Sequence, residues 1–91
     1  MIQLPPEALT RFAGTYEIAN LHVVIGVTVE NGQLMTQVNN QPKEPLFPES
    51  ATRFFSRESP VEFEFFPNDK GEITSLIAYQ GSQEYKADKK P

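Results

Sequence analysis

Ninety-one residues with a formal net charge of −4 make one domain with a thin core, because folding at this size buries roughly 60–70% of the surface the unfolded chain exposes. A hydrophobic content of 38% against 22% charged is that of a soluble globule, and the absence of a run of about 20 apolar residues excludes a helical membrane span. The acidic balance opposes binding to phosphate backbones, so no nucleic-acid partner is expected; with no cysteine there is no disulfide framework, thiolate nucleophile or cysteine-based zinc site.

Met1 to Pro6 lacks the basic region and apolar core of a signal peptide. Pro5 and Pro6 suit a first helical turn, Glu7 suits the positive end of the helix dipole, and Gly14 offers a left-handed stop, so one short helix is predicted over about 5–13. Leu9 and Phe12 share its buried side. Thr15 to Ile18 favours a strand, Asn20 breaks it, and His22 to Glu30 is the clearest strand in the chain. Val23, Ile25, Val27 and Val29 fall on one face by the period of two, with Gly26 on the other marking a bend or a close backbone approach.

Asn31-Gly32 is the strongest hairpin signal, since both central residues of a type I′ turn need positive φ. It leads into Gln33 to Val38, with Leu34, Thr36 and Val38 on the inner face. Lys43 to Glu49 is extended but carries Pro45 and Pro48, which donate no ladder hydrogen bond, so an irregular or edge strand is predicted there. Thr52 to Arg57, Val61 to Phe65, Glu72 to Tyr79 and Ser82 to Ala87 follow, separated by Ser59-Pro60, Asn68 to Gly71 and Gln80-Gly81, with 88–91 read as a frayed tail. The fold class is therefore all-β with one short N-terminal helix: a single domain, 1–91, built as an eight-stranded antiparallel meander that curls into a small barrel or half-barrel. A five-stranded OB-type barrel is the architectural alternative.

Residues that carry chemistry elsewhere have plainer readings here. His22 stands alone, without the second and third ligands a zinc ion needs. Glu62 and Glu64, about 7 Å apart along a strand, form a carboxylate pair only superficially, because Phe63 and Phe65 claim the inner face and leave both glutamates on the solvated one. Arg53-Phe54-Phe55-Ser56-Arg57 interleaves basic and aromatic residues as single-strand binders do, but the surrounding acids oppose that use; Arg53 fits better as a structural guanidinium tied to a carboxylate or carbonyl. No catalytic residue, metal ligand or cofactor is predicted. Tyr16 either aims its hydroxyl into a ligand cavity or packs in the core with one satisfied hydrogen bond. Phe47, Phe54, Phe55, Phe63, Phe65 and Phe66 fill most of so small an interior, yet the adjacent pairs Phe54-Phe55 and Phe65-Phe66 point to opposite faces. One member of each pair is left for the surface, where an aromatic patch is a docking candidate.

Leu9-Thr10-Arg11-Phe12-Ala13-Gly14-Thr15-Tyr16, Val27 to Leu34, Pro45-Leu46-Phe47-Pro48-Glu49-Ser50 with Arg53-Phe54-Phe55, and Phe63-Glu64-Phe65 with Asp69 to Ile73 together resemble a domain of unknown function. It is the lipocalin-like domain at the C-terminus of serine hydrolases related to β-lactamases and penicillin-binding proteins. Phe12 stands where the family's Tyr-x-Gly-x-Tyr motif has its first tyrosine, which keeps the packing and loses a hydroxyl. The hydrolase motifs themselves are missing: no serine is followed three residues later by lysine, no Tyr-x-Asn occurs, and Lys70-Gly71 belongs to no Lys-Thr-Gly triplet.

The resemblance implies a non-catalytic accessory barrel that packs in cis beside a serine hydrolase catalytic domain and shapes access or assembly, in a periplasmic or extracellular setting. Tyr16, Phe47, Phe54, Phe55 and Phe66 are the candidate ligand or partner contacts. Two other readings stand beside it: a free-standing lipocalin-like binder that takes a small apolar ligand between helix and barrel mouth, and a homo-oligomerisation module that uses an open edge near Pro45 and Pro48.

Overall fold

The computed structural model describes residues 4–90. One helical turn, α1 (Pro6–Leu9), passes into a 3-10 turn over Thr10–Phe12. Eight strands follow: β1 (Gly14–Ile18), β2 (Val23–Glu30), β3 (Gln33–Val38), β4 (Glu44–Pro48), β5 (Arg53–Ser56), β6 (Val61–Pro67), β7 (Ile73–Gln80) and β8 (Gln83–Lys89). Each pairs antiparallel with the next, and β8 returns to β1, so the meander is a closed barrel.

Turn chemistry fixes the hairpins. Asn31 and Gly32 take φ of 53° and 76°, the positive values a type I′ turn requires, and place Glu30 opposite Gln33. At the other end of that hairpin Asn39 extends the ladder: its backbone N–H donates to the Val24 carbonyl at 2.7 Å and its side-chain oxygen accepts from the Val24 N–H at 3.0 Å. Ser50 caps the β4–β5 turn by accepting the N–H groups of Thr52 and Arg53.

The helical segment closes one end of the barrel. A 3-10 turn brings residues three apart onto one side, and Leu9 and Phe12 use that to drop into the interior. There Phe12, Tyr16, Phe54 and Phe65 form an aromatic cluster with ring centroids 4.9–5.8 Å apart. Ile25, Val27, Leu34, Leu46, Phe63, Ile73 and Leu76 complete the core. The Tyr16 hydroxyl donates to the Phe12 carbonyl at 2.8 Å, which ties β1 to the plug.

Burial pushes the Tyr16 hydroxyl pKa well above its ordinary value. A raised acid pKa stabilises the fold below the unfolded value of about 10, and that contribution is lost as pH climbs above it toward the folded value. Tyr16→Phe is expected to cost about 1 kcal/mol at neutral pH, for the lost bond to Phe12. It should also flatten the decline in stability above pH 10, as read from urea midpoints across that range. An unchanged alkaline decline would place its origin elsewhere.

Four expectations change. The helix is one α-turn and one 3-10 turn, and Gly14 does take a positive φ, 154°, but as the first residue of β1 rather than as an αL helix stop. Gly26 lies at no close approach, because a Cβ there would meet only the Gln37 carbonyl at 3.9 Å. The segment read as a frayed tail is the closing seam. Glu17 pairs with Asp88, Tyr16 pairs with Lys89, and the Lys90 N–H donates to the Thr15 carbonyl at 2.8 Å, with Pro91 beyond the described residues. Finally, β4 has no open edge: it pairs with β3 through Pro45 and Leu46 and with β5 through Phe47 and Pro48. Its prolines are accommodated between two neighbours, so the edge-pairing route to an oligomer is removed.

Candidate functional site

The strand period divides the predicted contact residues between the two sides of the wall. Phe54 and Tyr16 point inward and are fully buried, so neither presents a ring to a partner. Phe47 and Phe55 point outward and meet across β4 and β5, with ring centroids 5.8 Å apart. Phe66 is also outward and exposed, but it stands four residues along β6 from Glu62, about 13 Å at the rise of an extended strand.

Register extends the Phe47–Phe55 pair into a row. Phe55 is opposite Glu62 on β6, and Glu62 is opposite Tyr79 on β7, so Phe47, Phe55, Glu62 and Tyr79 line up across four strands on the outer face. Two arginines lie over the rings: Arg57 is 4.0 Å from the Phe47 centroid and Arg53 is 4.6 Å from that of Tyr79. Arg53 also donates through Nε (3.0 Å) and one Nη (2.7 Å) to a single Glu62 oxygen, and its other Nη is 3.7 Å from Glu64. The Glu64 carboxylate in turn accepts the Thr52 hydroxyl at 2.6 Å. Between these elements lies a groove of about 600 Å³, lined by Glu49, Arg53, Phe55, Pro60, Glu62 and Tyr79 among others.

Charge in the groove is crowded on one side. Partial desolvation and the Glu62 carboxylate raise the pKa of Glu49 above the usual carboxylate range, with the Arg53 charge opposing them. Arg53→Met is therefore expected to move the Glu49 titration further up. A carbon-detected NMR titration of the side-chain carboxyl reads it directly, and an unchanged or lowered midpoint would contradict this arrangement.

Flat rings with guanidinium groups over them are the composition that protein interfaces favour, and rings already held by cation–π contacts lose little side-chain freedom on docking. The sequence named Phe47, Phe55 and Arg53 but missed Tyr79. Its signal was alternation alone: Leu76 and Ala78 inward imply Tyr79 outward, and only the hairpin registers place it beside Glu62.

A second concavity, about 300 Å³, opens into the barrel at the end away from the helix. Ile25, Thr36, Phe63 and Ala78 lie deeper in it, while Leu21, Val38, Pro42, Ser59 and Tyr85 stand around the mouth.

These features define a class: a small, closed, up-and-down antiparallel barrel, plugged by a helical turn at one end, open at the other, and banded outside by aromatic and arginine side chains. The chain belongs to the domain family described as a domain of unknown function, DUF3471, whose model matches residues 1–90. It is also 33% identical over 75 residues to penicillin-binding protein 4* of Bacillus subtilis strain 168, a match that covers 82% of this chain and 16% of that protein. The chain thus corresponds to a small part of its relative. No solved structure matches it.

Proposed function

We propose that this domain is a non-catalytic, lipocalin-like accessory barrel that docks in cis on the catalytic domain of a serine hydrolase of the penicillin-binding-protein class and shapes access to it. The observation that carries the reading is the match to a segment amounting to 16% of a penicillin-binding protein, which leaves most of that relative's length outside the match. The outer row of Phe47, Phe55 and Tyr79 with Arg53 and Arg57 supplies the surface for the contact. It has the aromatic and arginine anchors of an interface core, with Glu49 and Glu62 beside them to fix orientation.

The test has two parts. An immunoblot of source cells with an antibody against this domain should give a band well above the size of the 91-residue chain. Hydrogen exchange should then find residues 47–57 and 77–80 more protected in the whole polypeptide than in the isolated domain, with the extra protection lost on replacing both Phe47 and Phe55 by serine. A band at the size of the chain, or identical protection in the two contexts, would overturn the proposal.

A further inference from the structure

The barrel mouth carries an assignment that the outer face does not, and it holds whether or not the barrel docks on an enzyme. Thr36 is 4% exposed, lines the cavity, and its hydroxyl has no hydrogen-bond partner among the described residues. Buried hydroxyls are nearly always paired, because losing water without gaining a partner costs free energy. Directly across the β3–β4 ladder stands Glu44. It shares strand parity with the inward Leu46, so its half-buried carboxylate faces the cavity rather than the solvated wall.

Glu44 is held rather than loose. One carboxylate oxygen accepts the Ser56 hydroxyl at 2.6 Å and the other accepts the Ser59 hydroxyl at 2.8 Å. Ser56 is itself fixed by accepting the backbone N–H groups of Glu58 and Ser59. A carboxylate offers about four acceptor positions, so two remain. Among the described residues no lysine or arginine forms an ion pair with Glu44, whereas Glu30, Glu62, Glu64 and Glu17 all have one. The mouth therefore joins apolar walls, from Ile18, Ile25, Val38, Phe63 and Ala78, to an oriented carboxylate and an unmet hydroxyl.

We propose that the barrel mouth binds a small amphiphilic amine, with its apolar body between Ile25, Phe63 and Ala78 and its ammonium group shared by the Glu44 carboxylate and the Thr36 hydroxyl oxygen. An ammonium has three donors and no acceptor, which suits two facing acceptors, and its charge answers the one inward carboxylate of the site. The volume of about 300 Å³ lies at the small end of ligand sites, which run from about 300 to 1,000 Å³. A single ring with a short arm suits it.

The probes are phenethylamine, 2-phenylethanol and 3-phenylpropanoate, which differ chiefly in the head group. Each is titrated into the isotope-labelled domain while the methyl resonances of Ile25, Thr36, Val38 and Ala78 are followed by NMR. Phenethylamine should shift those methyls saturably and bind more tightly than the alcohol, with the carboxylate weakest. Glu44→Gln should weaken the amine by roughly ten- to a hundredfold and leave the alcohol nearly unchanged, as expected for a charge-assisted bond. Thr36→Val, which keeps the shape of the side chain, should weaken the amine by about five- to tenfold. No saturable shifts with any probe, equal binding of amine and alcohol, or preference for the carboxylate would each overturn the assignment. Methyl spectral dispersion in each variant establishes folding independently of binding.

Discussion

Replacing Phe65 with alanine is expected to destabilise the domain by about 3–5 kcal/mol, whereas the same change at its neighbour Phe66 should cost about 1 kcal/mol or less. The two residues are chemically identical and adjacent, so propensity and composition cannot separate them. Packing does. Phe65 is fully buried and its ring meets three others, with centroids 4.9 Å from Phe12, 5.8 Å from Tyr16 and 5.7 Å from Phe54. With Phe54 and Tyr16 it is one of the wall residues that meet the helical plug, and its loss leaves a void among rings too rigid to collapse into it. Phe66 lies outside, 38% exposed. A domain of this length has a total stability of roughly 5–14 kcal/mol, so the first substitution consumes a large share of it and the second very little. Urea denaturation of the two variants measures both, and a difference between them of less than about 1.5 kcal/mol would refute the plug as the centre of the core.

The second large effect is expected from shortening the chain after Ala87. That removes the Glu17–Asp88 and Tyr16–Lys89 pairings, the Lys90 N–H bond to Thr15, and the ion pair of Lys90 with Glu17 at 3.1 Å. It also removes the Ser75–Asp88 pairing with β7. The ion pair is partly exposed and adds at most about 1 kcal/mol, while each backbone bond is worth about 0.5–1.5 kcal/mol. Together with the exposure of the inner end of β1, the loss should be roughly 2–4 kcal/mol. A second outcome is qualitative. Opening the seam leaves β1 with unpaired N–H and carbonyl groups, which is a template for a second chain, so sedimentation should find concentration-dependent self-association in the shortened form. A shortened chain that is equally stable and monomeric would make the closing strand dispensable.

Much of this architecture could be read from local chemistry. Asn31-Gly32 announced its turn because few other residue pairs tolerate the two positive φ values, and the alternation in Val61 to Phe65 assigned Phe63 and Phe65 inward. The strands between Gly14 and Gln80 follow from such signals. The seam does not, because Asp88-Lys89-Lys90 has no hydrophobic pattern of its own and its closing partner is a strand some seventy positions earlier in the chain. The non-local partner on the seam side leaves no local trace. The helix was overestimated for a related reason: the spacing of Leu9 and Phe12 fits a 3-10 turn as well as an α-helix, and the barrel selects the tighter form.

The candidate sites divide in the same way. The sequence counted Phe47 and Phe55 among the rings of the interior and left open which of Phe54 and Phe55 faces out; that Phe47 and Phe55 are both outward, and aligned with Glu62 and Tyr79, depends on three successive hairpin registers. Glu44 was legible in principle, because it lies two positions from Leu46 and strand parity sends both inward; a charged residue near a proline reads more readily as solvated loop. Thr36 was placed on the inner face from sequence, while the lack of a partner for its hydroxyl emerges only from the packed structure.

Closure of the barrel through β1 and β8 also decides how the domain answers a pull. The two strands are antiparallel, so the start of β1 and the end of β8 lie at the same pole, beside the helical plug. Tension between the two ends of the chain would load that seam as a zipper, parting its hydrogen bonds one after another rather than shearing them together. The opposite pole, with Thr36 and Glu44, lies off the line of force.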